Sequence, residues 1–302
     1  MQFSTIVLRV AEETGLDVTA DATKLKAWVN GAYQQISGFY NWPWLLTNFT
    51  IQTVADITTY TASVAGGGTA VTLDTAHTPT LAGNYWIRFD DTSDDWYPIS
   101  THVAGTAAVV IGNAYVSSTA LVAGACTIRK IFYDLPSTVD RVTGLRQAVT
   151  NREIPIIDAN TFDKALPDPD NTGTPSLAYL NGMTTTGYWQ LGFHPIPDEI
   201  INIQGRGYKP ITELSGDSDT PYIPAKWHNV LVFLALALYG HDYIDDDRRN
   251  NAVEKAREIV RDMVKECNPV PGMRHIIQPW DSRTPNNLGV RLPSNYPWPY
   301  GI

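Results

Sequence analysis

Cysteine is scarce in this 302-residue chain: Cys126 and Cys267 stand far apart in differently patterned segments. Two buried free thiols are expected rather than a disulfide, and a thiolate metal cluster is excluded. Positive charge is also short, with 22 Lys and Arg against 31 Asp and Glu and a formal net charge of -9. That balance argues against a protein that wraps nucleic acid, which needs clustered cations on phosphates; an acidic wall that lets DNA slide past is compatible with it. Long apolar runs are missing too. The stretch 230–239 is almost wholly apolar, but it has half of the roughly twenty residues needed to cross a bilayer. The opening MQFSTIVLRVAEE has no basic leader, apolar run or cleavage site, so synthesis in the cytosol is expected.

Catalytic spacings are absent as well: no G-x-x-x-x-G-K-[ST] loop, no G-x-S-x-G elbow and no H-E-x-x-H helix. The six histidines are scattered, and His228 reads as a hydrogen-bonded packing residue. Asp168, Asp170 and Gly173 resemble the start of a calcium loop, yet the twelfth position falls on Tyr179, where a bidentate Glu is needed. Asp245, Asp246 and Asp247 are explained by the start of a helix. No catalytic residue, cofactor or metal is therefore expected. Tyr85, Trp86, Trp96 and Tyr97 raise a sugar-stacking platform, against which stands ordinary packing, since alternation buries one aromatic of each adjacent pair anyway.

What is present is a patterned core. Its centre is the run from Asp217 to Tyr239, in which turn chemistry at Asp217, Ser218, Asp219 and Pro221 precedes Pro224 and then the apolar stretch 230–239. A helix there has no polar side and must be buried all round. Phe3, Ile6, Val7, Val10 and Ala11 predict a helix over 3–14, and Leu25, Trp28, Val29, Ala32, Tyr33, Ile36 and Tyr40 predict a second one that runs until Pro43 stops it. Ala252, Val253, Ala256, Ile259, Val260, Met263, Val264 and Cys267 make the stripe of a last helix.

Between the helix pairs the period changes to short strands separated by glycine turns, at 49–54, 58–62, 70–73, 85–89, 96–99, 107–111 and 126–132. A second group follows at 178–180, 188–193 and 200–208, with a helical turn at 158–164 and an exposed loop at 167–174. The fold class is α+β: a four-helix body of two N-terminal and two C-terminal helices, a large inserted β-barrel or sandwich region, and an extended proline-rich C-terminal tail. The domains are 1–45, 46–215 (with a division at about 46–135 and 136–215 left open), 216–267 and 268–302. The tail holds Pro269, Pro271, Pro279, Pro285, Pro293, Pro297 and Pro299 together with Ile276, Ile277, Trp280, Leu288, Leu292, Trp298 and Tyr300, and basic Arg274, Arg283 and Arg291. It cannot sustain a helix or an inner strand. Its apolar anchors find shelter either on a partner or on their own subunit, and the composition favours the partner.

With this order on the page, the chain resembles the head-to-tail adaptor proteins of tailed bacteriophages, also called connector or head-completion proteins. The second half carries most of the resemblance: Thr174-Pro175, Tyr179, Leu191, Phe193, Pro195-Ile196-Pro197-Asp198, Tyr208, Leu214, Asp217, Ser218, Asp219, Pro221, Ile223, Pro224 and Trp227-His228 before an alanine- and leucine-rich helix. Trp28, Asn30, Ala32, Tyr33, Ile36, Trp42 and Trp44 resemble the second helix of those adaptors. Asp95-Trp96-Tyr97-Pro98-Ile99 and Tyr133-Asp134-Leu135-Pro136 resemble their β insertion and its return to the body.

The resemblance implies a structural, non-catalytic virion protein at the neck between head and tail, assembled in the host cytoplasm as a homo-oligomeric ring, a dodecamer in the family. Its implied partners are the portal protein above and a tail or nozzle protein below, with fibres a further candidate. DNA passes through the ring without sequence-specific binding, and no membrane is involved. Arg274, Ile276, Trp280, Arg283, Leu288, Arg291, Leu292, Trp298 and Tyr300 would dock the tail on the portal. The rival readings are a carbohydrate-binding or fibre-attachment module using the β lobe, and a hydrolase with dispersed carboxylates.

Overall fold

The computed structural model describes residues 1–91, 95–165, 170–184, 187–240 and 243–267. The chain opens with α1 (Phe3–Thr14) and α2 (Ala22–Phe39), then enters β1 (Leu46–Gln52), β2 (Thr61–Val64), β3 (Ala70–His77), β4 (Tyr85–Phe89), β5 (Trp96–His102), β6 (Thr106–Ile111) and β7 (Leu121–Lys130). It continues through β8 (Phe132–Asp134), β9 (Arg141–Gln147), β10 (Glu153–Ile154), β11 (Ile156–Asp158), α3 (Ala159–Ala165), β12 (Leu177–Met183), β13 (Trp189–His194) and β14 (Asn202–Tyr208). It closes on α4 (Asn229–Tyr239) and α5 (Asp246–Cys267). Two compact units result: Met1–Trp44 with the described residues from Thr212 onward, and Leu45–Ile211.

In the helical unit, α4 packs against α1, α2 and α5. Val230, Leu231, Val232, Leu234, Ala235, Leu236 and Ala237 are buried, as an apolar helix without a polar side requires. The first turn of α1 has no side-chain cap. Its free amides are met by the turn before α4, where Phe3 N donates to Asp219 O at 2.8 Å and Ser4 N to Asp217 O at 3.1 Å. That turn is held in shape by the Asp219 carboxylate, which accepts from Ser215 N and Gly216 N at 2.8 Å each. These two bonds lower the Asp219 pKa. Asn30 on α2 grips the same segment from both sides, donating to Leu214 O at 2.9 Å and accepting from Leu214 N at 3.0 Å. The Tyr33 hydroxyl accepts from Tyr222 N at 3.0 Å.

Two helix boundaries differ from expectation. α2 ends at Phe39, four residues before Pro43, because Tyr40 is already extended. The buried Trp42 indole then donates to Ile36 O at 2.7 Å and stacks on Trp44 with centroids 4.5 Å apart. α4 starts at Asn229, since Pro224 is extended (ψ 139°) and opens a separate 3-10 turn, Ala225–Trp227.

In the β unit, the strands β2-β3-β6-β5-β4-β7 form a closed barrel. Its interior is filled by Val71, Leu73, Ile87, Phe89, Tyr97, Ile99, Ile111 and Ile128. The strands before and after it make two four-stranded sheets, β1-β14-β9-β10 and β11-β12-β13-β8. They share one core that includes Phe49, Ile51, Tyr133, Leu145, Leu191, Phe193 and Ile203. β1 therefore belongs with β14, register Leu46↔Tyr208, and not with the barrel strands that follow it in sequence. β9, β10 and β11 went unread in the sequence. β9 carries charge and Gly144, and its pairing with β14 is bulged at Arg206/Gly207, which breaks the two-residue period. Each sheet also contains a glycine directly opposite an aromatic residue, Phe49↔Gly205 and Tyr179↔Gly192. A Cβ at either glycine would fall inside the facing ring.

Candidate functional site

The docking residues expected in the tail, Arg274, Ile276, Trp280, Arg283, Leu288, Arg291, Leu292, Trp298 and Tyr300, lie outside the described residues. Asp168, the first residue weighed for a calcium loop, does too. The residues singled out before position 268, Asp168 aside, can be placed.

Of the four aromatics weighed as a sugar platform, Tyr85 and Tyr97 are buried in the barrel interior. Trp96 lies on the outer side and is already occupied. Its ring centroid is 4.5 Å from the Arg129 guanidinium and 5.1 Å from that of Arg88. Its indole N–H donates to Asp170 Oδ1 at 2.8 Å, and Arg88 Nη1 donates to the same oxygen at 3.0 Å. Arg129 in turn donates to both carboxylate oxygens of Asp56, with Nη2 at 2.6 Å from Oδ2. The cluster fastens barrel strands β4, β5 and β7 to the loop before β12, and it takes up the ring that a sugar would need. It also engages Asp170 with a cation of the chain itself, Arg88. Sequence reasoning named Trp96 and Asp170 but missed Arg88, Arg129 and Asp56; the available signal was a pair of arginines on otherwise apolar strands.

His77, His102, His228 and the Asp245 carboxylate have structural work. His228 is buried, its Nε2 donating to Ile223 O at 2.7 Å while Nδ1 faces Met1 N at 2.5 Å, and burial lowers its pKa. His102 accepts from Leu81 N on Nδ1 (3.1 Å) and donates from Nε2 to Thr106 O (3.2 Å). His77 Nδ1 meets the Tyr60 hydroxyl at 3.0 Å, and burial, then the neighbouring His102, lower its pKa. Asp245 Oδ1 accepts from Arg248 N at 2.7 Å, the geometry of an N-cap for α5. Cys126 is a buried thiol pushed up to about 11 by burial, so it is unreactive at neutral pH. Among the described residues no cluster of three or more His, Cys, Asp or Glu could hold a metal ion. No helix among them is long and apolar enough to cross a membrane. In the helical unit a cleft of about 280 Å³ is lined by Glu13, Phe233, Leu236, Ile244, Arg248 and Lys255.

The region from β6 through the sandwich to α5 therefore holds supports, caps and packed cores, and a comparison with known families falls on that same region. Residues 107–266, just over half of the chain, match the model of the SU10 adaptor protein family. The chain belongs to the SU10 adaptor protein family. It is thus a phage head-to-tail adaptor, of a family that is structural rather than catalytic, and a component of the virion. The matched range contains the Asn30-bound turn, α4 and α5, all of the sandwich strands except β1, and barrel strands β6 and β7; α1, α2 and β1 to β5 precede it. No curated protein matches the adaptor.

Proposed function

We propose that the adaptor forms a ring of identical copies between portal and tail, through which the genome passes, and that residues 268–302 dock on the portal. The observation that carries this reading is membership of the SU10 adaptor family over residues 107–266. Composition supports it independently. A proline-rich segment with Trp280, Trp298 and Tyr300 has no internal ladder to form, and it gains most by burying those rings along a large partner surface. A net charge of -9 suits a passage that must not retain DNA. The domains at 1–45, 46–215, 216–267 and 268–302 divide the labour, with helices as the ring body and the β insertion contacting neighbouring virion proteins.

The test is a chain ending at residue 267, assayed for co-sedimentation with portal-bearing capsids. A folded chain that no longer attaches supports tail docking, whereas attachment equal to that of the full chain refutes it. Electron microscopy of assembled particles decides ring and copy number.

A further inference from the structure

Every neighbouring pair of strands in the barrel is antiparallel. The ends of β3, β5 and β7 and the starts of β2, β4 and β6 therefore gather at one mouth. Two histidines stand in it. His77 ends β3 and His102 ends β5; they are 9% and 7% exposed, and their ring centroids lie 6.1 Å apart. The connection from β3 to β4, residues 78–84, forms a strap at this mouth, and its Leu81 is wholly buried in the barrel core.

His102 holds the strap. Leu81 N donates to its Nδ1 at 3.1 Å, and Thr80 Oγ1 donates to its carbonyl oxygen at 2.9 Å. Beyond Leu81 the strap turns into β4 through Gly83, whose φ of 77° suits glycine. A backbone N–H can only donate, so Nδ1 carries no proton, and the Nε2–H donates to Thr106 O at 3.2 Å. The hydrogen bonds thus require one neutral tautomer. A proton on Nδ1 would set two donors against each other and leave the Leu81 amide without its acceptor.

Among the described residues, those that the other elements bring to this mouth offer that proton no compensating charge. They are Tyr60 ahead of β2, His77 on β3, Tyr85 on β4 and Lys130 on β7. Lys130 is itself a cation, 5.6 Å from the centre of the Tyr85 ring. Residues 75–87 and 96–133 contain no Asp or Glu, and Asp74 on β3 is exposed on the outer side. Asp56 is committed to Arg129, and Asp134 to Asn84 and Gln190. His77, with Nδ1 at 3.0 Å from the Tyr60 hydroxyl, would add a like charge when protonated.

We propose that His102 is a proton-operated latch on the strap 78–84. Neutral, it pins Leu81 in the mouth of the barrel. Protonated, it lets the strap swing out about Gly83 and uncovers Leu81, Tyr60 and Tyr85. The latch is a property of the barrel itself and does not rest on the ring reading.

The test uses the full chain. Nuclear magnetic resonance of isotope-labelled histidine should show the Nε2–H tautomer of His102 at neutral pH. Hydrogen exchange read by mass spectrometry, corrected for the chemical exchange rate, should show segment 78–84 losing protection between about pH 7.5 and about pH 5 while α4 keeps its own. One proton sets the scale, about tenfold in the closed-to-open ratio for each pH unit of titration. His102→Asn sets an amide oxygen where Nδ1 accepts and cannot titrate, so the strap should stay protected at both pH values. The latch is overturned if Nδ1 carries the proton at neutral pH, if segment 78–84 keeps its protection in acid, or if α4 opens together with it. It is equally overturned if the His102→Asn chain responds to acid as the unaltered chain does. The tautomer and exchange measurements on the unaltered chain decide the matter even where His102→Asn fails to fold.

Discussion

Arg129 and Asp56 form an ion pair whose side chains are only 7% and 17% exposed, with Nη2 at 2.6 Å from Oδ2. Arg129 is held on its other side by the Trp96 ring. Removing one partner leaves a buried charge uncompensated, so Asp56→Ala should destabilise the β unit by about 3–5 kcal/mol. The double variant Asp56→Ala, Arg129→Met should recover a large part of that loss. Urea unfolding followed by tryptophan fluorescence measures both, and equal losses in the single and double variants would refute the pairing argument.

Asn30 makes two hydrogen bonds to the backbone of Leu214, one as donor and one as acceptor. Asn30→Ala leaves both Leu214 groups without that partner, at a cost of about 1–3 kcal/mol. Asn30→Asp keeps the acceptor and loses the donor, so it should fall between Ala and the unaltered chain. Chemical denaturation ranks the three.

Gly205 faces Phe49 across the β1–β14 pair. Gly205→Ala drives a methyl group into that ring and should cost about 1–3 kcal/mol by overpacking. Adding Phe49→Leu, which shortens the obstructing side chain, should make the glycine substitution less costly than it is alone. A thermal melt of the four chains in this cycle gives the coupling directly.

Acid should loosen the molecule through its histidines. Burial lowers the pKa of both His77 and His228 below the ordinary histidine value of 6.5. For a base whose folded pKa is depressed, the neutral form favours folding. The contribution is complete above pH 6.5 and is lost as pH falls from there toward the folded pKa values. The melting temperature should be flat between pH 8 and 7 and decline below about 6.5. His228→Gln, which keeps a polar side chain without a titrating group, should flatten part of that decline.

Trp280→Ala and Trp298→Ala should weaken attachment to portal-bearing capsids while leaving the melting temperature of the free chain unchanged. A large fall in melting temperature for both would place those rings on their own subunit and remove the docking proposal.

The helices were legible because their information is local and periodic. Phe3, Ile6, Val7 and Val10 state the buried face of α1 in eight residues, and the stripe from Ala252 to Val264 does the same for α5. The barrel strands were legible in kind but short in length, since β3 and β5 run on to His77 and His102, polar residues that become buried only when their partners arrive from elsewhere in the chain. Pairing was not legible. Nothing around Phe49 announces that its neighbour is Gly205, because a cross-strand partner 156 positions away leaves no local period. The same holds for the Trp96 cluster, in which Asp56, Arg88, Arg129 and Asp170 converge from four separate segments.

The register Leu46↔Tyr208 has a bearing on the order in which the molecule comes together. On its own, the span between α2 and α4 is a long flexible tether whose closure costs entropy. Once β1 has zipped onto β14, Leu46 and Tyr208 lie one strand spacing apart, and only the segments 40–45 and 209–228 still separate the pair from α2 and α4. The β insertion thus acts on the rest of the chain as a clasp, and any substitution that delays its closure should slow helix assembly even when no helical residue has been touched.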